Sequence, residues 1–195
     1  MLILAADTSL PLLSVALLRD DALAGAVALE GKGSRNEKLL PAIDWLLGEA
    51  SVDRREIDLF AVTRGPGSFT GVRIGLATMQ GLALALGKPV CAMSTHQALA
   101  PANGRVVIVD DAGRGEFYVS ELEDGREVVG PHLAREASGL TVAEILRNGN
   151  AAVGCARRAR AIAVAGELGR YADVTPIYVR LAEAEVKLKS GAAPS

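Results

Sequence analysis

Aromatic side chains are scarce in this 195-residue chain, at 4%, although half of all residues are apolar. A core can therefore be built, but from Leu, Val, Ile and Ala, which suits an α/β protein. Cysteine is nearly missing. Cys91 and Cys155 belong to no CxxC pair, which argues against a disulfide scaffold and a cysteine-rich zinc site. The two histidines, His96 and His132, lack the His-x-x-x-His or His-x-x-Glu-His spacing of a metallohydrolase. No serine sits in a Gly-x-Ser-x-Gly elbow. Neither sign of charge dominates: 21 Lys and Arg against 23 Asp and Glu leave a net charge of -2, so no overall positive field draws the chain to RNA or anionic lipid. Long apolar runs are also few. The opening MLILAADTSL reaches Asp7 without a basic flank, too soon for a signal-peptide core, and the apolar helix candidate at residues 72–86 is interrupted by Arg73 and Gln80, short of a membrane span. A reducing cytoplasmic setting with no membrane is the expectation.

What is present is an alternation of strand and helix signals. Residues 2–6, 14–18 and 22–29 read as a three-strand meander with a polar turn at Arg19-Asp20-Asp21. Ser34 and Glu37 match a capping box, followed by Leu39, Leu40, Ile43, Leu46, Leu47 and Ala50 at helical spacing, with Pro41 predicting a kink or a later start. Residues 57–62 form a buried-strand run ended by Gly65-Pro66-Gly67-Ser68. A second helix over about 70–86 carries Gly71, Gly75 and Gly81, each costing up to ~1 kcal/mol of propensity, so something must pack closely against it. Residues 90–93 follow as a strand, with Thr95 as cap of a short helix. Pro101-Ala102-Asn103-Gly104 marks a boundary between residues 1–100 and a second part, 101–195. There, 106–109, 116–122 and 126–129 suggest strands with hairpin turns, Asp124-Gly125 among them. A helix at 141–147, a short strand at 151–153, a helix near 157–168 and a frayed tail after Lys187 complete the reading. Both parts open with a strand and a polar turn, which hints at a duplicated fold.

Several groups admit two readings. Gly65 to Gly71 is either a structural elbow or a phosphate loop built on Gly67 and Ser68 without the usual lysine. Asp7, ending the first strand, either faces a ligand or ties the turn amides. Asp110, Asp111 and Glu116 form either a cation site or a solvated turn. Arg157, Arg158 and Arg160 either touch RNA phosphates or cover a helix face. Gly71, Gly75 and Thr78 share one side of the second helix, where a backbone can approach.

The segment TRGPGSFTGVRIGLATMQGLALALG resembles the signature of the TsaB family, and the likeness extends to LILAADTSLPLLSVAL, SRNEKLLPAID, VDDAGRGEFYVSEL and the ending PIYVR. The resemblance implies an actin-like ATPase (ASKHA) fold: two RNase-H-like lobes, each a mixed sheet flanked by helices. It further implies a non-catalytic scaffold supporting a TsaD-like catalytic subunit, with a TsaE-like ATPase, in N6-threonylcarbamoylation of adenosine 37 of tRNAs reading ANN codons. No cofactor is expected to bind tightly here; ATP and a divalent metal belong on the partner subunits, tRNA is met through the complex, and the subunit alone pairs with itself. The family pairs through first-lobe helices, which points to Leu39, Ile43, Leu46, Leu47, Gly71, Gly75 and Thr78 as the partner interface. Two departures stand out: Arg35 where many members have histidine, with Asn36 at the serine, and a short second lobe. A small kinase-like ATPase of the same fold and a self-associating regulatory protein are the alternatives.

Overall fold

The computed structural model describes residues 1–30, 35–146 and 150–179. The Ser34 capping-box position, the Arg180 end of the PIYVR segment and the tail after Lys187 lie outside the described residues, as do the Arg35 and Asn36 side chains.

The chain opens with β1 (Leu2–Asp7), β2 (Leu13–Arg19) and β3 (Ala22–Leu29), then α1 (Arg35–Glu49), β4 (Leu59–Thr63), α2 (Phe69–Leu86), β5 (Val90–Met93) and α3 (Thr95–Leu99). The five strands form one sheet in the order β3-β2-β1-β4-β5, antiparallel in the meander and parallel across β1, β4 and β5. Alternation along the strands sends side chains to two cores. Leu2, Leu4, Ala6, Phe60 and Val62 face α1 and α2, whereas Ile3, Ala5, Leu59 and Ala61 face the opposite layer. The helix α1 runs through Pro41 unbroken, without the later start that Pro41 suggested. Gly87, at φ 64, closes α2 in the left-handed conformation that glycine adopts readily.

Beyond Pro101 come β6 (Arg105–Gly113), β7 (Glu116–Glu123), β8 (Arg126–Ala134), β9 (Leu140–Thr141), α4 (Val142–Leu146) and α5 (Ala151–Val164). Their sheet runs β8-β7-β6-β9, with β6 antiparallel to β7 and parallel to β9. This repeats the strand order of the first sheet less its fifth strand, so the duplicated pattern and the mixed sheets are present. The second half is trimmed: five residues join β8 to β9 where α1 joins β3 to β4. The β7–β8 turn is Asp124-Gly125, both with positive φ, at 48° and 71°, as a tight hairpin requires.

One expectation fails in an instructive way. Residues 151–153 are not a strand but the first turn of α5, whose N-cap Asn150 accepts from the amides of Ala152 and Val153. That helix crosses back to pack on β1, β2 and β4, where Cys155, Ala156, Ala159 and Ile162 complete the second core. The two sheets do separate near Pro101, but the chain does not divide cleanly there, because α5 covers the first sheet from the second half. Cys91 and Cys155 meet in this core as free thiols, and burial pushes Cys91 up to about 12.

Among the described residues one helix, α2, has the length and apolarity to cross a membrane, longer than the interrupted 72–86 segment implied. Its Val72, Leu76, Met79 and Ala83 are instead buried against the sheet.

Candidate functional site

The β1–β2 turn, the glycine elbow before α2 and the start of α3 converge on one buried knot. Asp7, Thr8 and Ser9 are all essentially inaccessible. The Asp7 carboxylate accepts from the hydroxyls of Ser9 and Thr63 and from the amides of Ser9 and Leu10. Burial pushes its carboxyl above the ordinary range, and those hydrogen bonds pull the other way. Ser9 Oγ also meets Thr95 Oγ1 at 2.8 Å, which ties the turn to α3. This is the turn-tying role rather than an open ligand position.

The elbow is filled by the protein itself. The Ser68 amide donates to the Ser9 carbonyl at 2.7 Å, and Ser68 Oγ caps α2 by accepting from the Gly71 amide. A Cβ on Gly67, at φ 146, would stand 2.5 Å from the Ser9 carbonyl oxygen. The space that a phosphate would occupy over Gly67 and Ser68 thus holds the β1–β2 turn, and the phosphate-loop alternative is corrected to a structural elbow.

The same turn explains the small residues of α2. A Cβ on Gly71 would lie 2.0 Å from the Thr8 carbonyl oxygen and one on Gly75 2.3 Å from Thr8 Oγ1, which itself donates to the Gly71 carbonyl. The backbone that approaches this glycine side is therefore β1's own turn. Leu39, Ile43, Leu46 and Leu47 are likewise buried in the first core, and Thr78 is half-buried. Leu39, Ile43, Leu46, Leu47, Gly71 and Gly75 are thus used within the lobe itself, which corrects their assignment to a partner surface.

The outward sides of the two helices carry what sequence reasoning passed over. On α1, Leu40 and Trp45 are exposed, Trp45 by 55%; on α2, Ala77, Gly81 and Leu84 are exposed, Leu84 by 82%. Leu40, which helical spacing grouped with the apolar stripe of α1, is thus exposed, and the off-stripe positions of Trp45 and of Leu84, away from the Val72–Leu76–Met79–Ala83 row, were the available signal. At the N-terminal end of α2, Phe69 stacks on Tyr178 with centroids 4.9 Å apart, and Arg73 lies over the Phe69 ring.

The acidic and basic clusters are mostly engaged. Asp110 is above the ordinary carboxylate range through burial, with Asp111 and Asp7 adding to the rise. Among the described residues no three His, Cys, Asp or Glu side chains converge as a metal site. Arg158 donates to the Ala100 and Pro101 carbonyls and Arg160 pairs with Asp21, leaving Arg157 exposed. His96, fully buried, joins α3 to β7 through Ser120 Oγ at 2.7 Å, and burial lowers it to about 4.

Comparison with known proteins gives this geometry its relatives. Residues 32–165 match the profile of a family described as TsaD, tRNA N6-adenosine threonylcarbamoyltransferase. The protein named tRNA threonylcarbamoyladenosine biosynthesis protein TsaB is 37% identical in Bacillus subtilis over 123 residues, and 37% identical in Escherichia coli over 129 residues. These matches take in 60% and 63% of this chain and 53% and 55% of the relatives. The chain belongs to this family, on its TsaB/YeaZ side. It spans about half the length of the curated relatives it matches. The fold agrees over a longer stretch: YeaZ from Pseudomonas aeruginosa superposes with a TM-score of 0.71 at 28% identity, covering 91% of this chain and 99% of that one. The architecture of two sheets in repeated strand order is accordingly the actin-like fold of the TsaB/YeaZ proteins.

Proposed function

We propose that this TsaB/YeaZ protein is a non-catalytic partner subunit in N6-threonylcarbamoylation of adenosine 37 of tRNA, and that it docks a TsaD-like catalytic subunit through the outward sides of α1 and α2. The observation that carries the reading is the exposed set Leu40, Trp45 and Leu84 on two neighbouring helices whose inward sides are already buried in the core. A helix whose outward side also offers large apolar groups has area to bury against another protein, and a tryptophan there is a typical anchor. The exposed Gly81 and Ala77 leave room beside Leu84 for a second helix to approach. Without the catalytic subunit, the same face would pair two copies of this chain.

The reading assigns ATP and the divalent metal to the partner subunits, with a TsaE-like ATPase as third component, tRNA engaged through the complex, and the assembly in the cytoplasm. The engaged state of Asp7 and Ser68 supports leaving the nucleotide to a partner. The test is sedimentation of Trp45→Glu and Leu84→Glu with a TsaD-like subunit. Both variants should keep the wild-type melting profile and lose at least about tenfold in affinity, as truncated interface anchors do. Unaltered binding in both would place the interface elsewhere. Low-micromolar Mg-ATP binding with turnover by this chain alone would favour a kinase-like enzyme instead.

A further inference from the structure

A small polar pocket of about 300 Å³ opens where the parallel strands end, lined by Arg64 after β4, Ser94 and Gln97 at the start of α3, Arg126 on β8, and Arg170 and Tyr171 near the chain's described end. In open α/β sheets the carboxyl ends of parallel strands are where ligands are received. Arginines from three separate segments line it.

Arg64 is the most informative of them. Its Nη1 is engaged by Asp173 at 3.0 Å and by the Thr175 carbonyl at 3.1 Å. Its Nε is buried yet finds no acceptor among the described residues. Nε with Nη2 is an edge of the guanidinium fork that grips a carboxylate or phosphate through two parallel hydrogen bonds, and a buried N–H left unpaired costs free energy. A second donor is present. Tyr171 Oη accepts from Gln97 Nε2 at 3.1 Å, which leaves its own proton available to donate. Arg126 and Arg170 share one carboxylate, Glu167, at 3.1 and 3.6 Å, so two cations divide a single counter-charge. Glu127 also lines the rim, exposed, and limits the positive excess.

We propose that this pocket binds the oxyanion of a small ligand, a phosphate or a carboxylate, with Arg64 as the bidentate donor and Tyr171 as the second. The volume suits a compact anion and falls at the lower end of small-molecule sites. The assignment does not rest on the partner reading, and the assay below uses the chain alone.

The test is isothermal titration of the full chain with pyrophosphate, inorganic phosphate and succinate. At least one should bind saturably with a dissociation constant below about 1 mM. Tighter binding of the phosphates assigns the pocket to phosphoryl ligands, tighter binding of succinate to carboxylates. Arg64→Lys keeps the charge and removes the fork, and should weaken binding about tenfold or more. Because Arg64 also anchors residues 173–175, Tyr171→Phe and Arg126→Gln carry the test independently, and each should weaken binding severalfold with the melting profile preserved. No saturable binding by any of the three probes, or unchanged affinity in both of these variants, would overturn the site.

Discussion

The three glycines of α2 should respond to alanine with opposite signs, because the structure gives each a different neighbour. At Gly81 a Cβ meets nothing within 4 Å on an exposed stretch of helix, so Gly81→Ala should stabilise by up to about 1 kcal/mol through helix propensity. At Gly75 the added Cβ would stand 2.3 Å from Thr8 Oγ1. Thr8 can relieve that clash only by turning away and leaving the Gly71 carbonyl that it now reaches at 2.7 Å. Overpacking of about 1–3 kcal/mol and a buried Thr8 hydroxyl left without its acceptor, about 1–3 kcal/mol, outweigh the propensity gain of about 1 kcal/mol, for a net loss of about 1–5 kcal/mol. At Gly71 the obstacle is the Thr8 carbonyl oxygen at 2.0 Å, which no side-chain rotation can move, so the loss should exceed that at Gly75. For a chain of this size, each kcal/mol moves the melting temperature by about 2–4 °C. Thermal and urea denaturation should therefore order the variants as Gly81→Ala, wild type, Gly75→Ala, Gly71→Ala, from most to least stable. Adding Thr8→Ala should rescue Gly75→Ala, since the next contact, Thr8 Cβ at 3.6 Å, is ordinary, and should not rescue Gly71→Ala. A Gly75→Ala variant as stable as Gly81→Ala, or a Thr8→Ala change that shows no coupling to it, would rule out Thr8 as the neighbour that demands glycine at position 75.

His96 makes a pH-dependent contribution: lowered by burial to about 4 from 6.5, it favours the fold fully above about pH 6.5 and loses that contribution as pH falls towards 4, because the unfolded chain takes up the proton first. Asp7 and Asp110, raised by burial, slope the other way, so the quantity to measure is the stability difference between wild type and His96→Asn, which should shrink by about 3 kcal/mol from pH 7 to pH 4 in urea titrations. Gly154→Ala places a Cβ 2.0 Å from the Ala98 carbonyl oxygen and should loosen α5 from α3, lowering the melting temperature by about 4 °C or more. Trp45→Glu should dissociate any homodimer in sedimentation experiments while leaving the melting profile of the monomer intact.

The strands were the most legible part of this fold, because the continuous apolar runs in LILAAD and LFAVT belong to strands whose two faces enter two different cores. The elbow at Gly65 to Ser68 and the hairpin at Asp124-Gly125 were readable from turn chemistry for the same local reason. The start of α5 was not. Ala151-Ala152-Val153 is too short to show a period, and the first sheet that decides it lies far earlier in the chain, with Ser14 of β2 meeting the Ala152 amide across 138 residues. The side of α2 that carries Gly71 and Gly75 was correctly read as a place of close approach, but spacing cannot say whose backbone approaches. Thr8 supplies the answer through a contact across 63 residues. The apolar stripe of α1 posed the same ambiguity: Leu39, Ile43, Leu46 and Leu47 identify a buried face without naming what buries it. The surface left over for a partner became visible only after that face had been used.

Reconstitution of threonylcarbamoyladenosine formation, with the modified nucleoside counted by mass spectrometry of digested tRNA, tests the partner-subunit role head-on. This chain alone should yield none, a TsaD-like subunit with a TsaE-like ATPase should yield little, and adding the wild-type chain should raise the product at least about tenfold, with Trp45→Glu failing to do so. Modified tRNA made by this chain alone, or full product without it, would contradict the account.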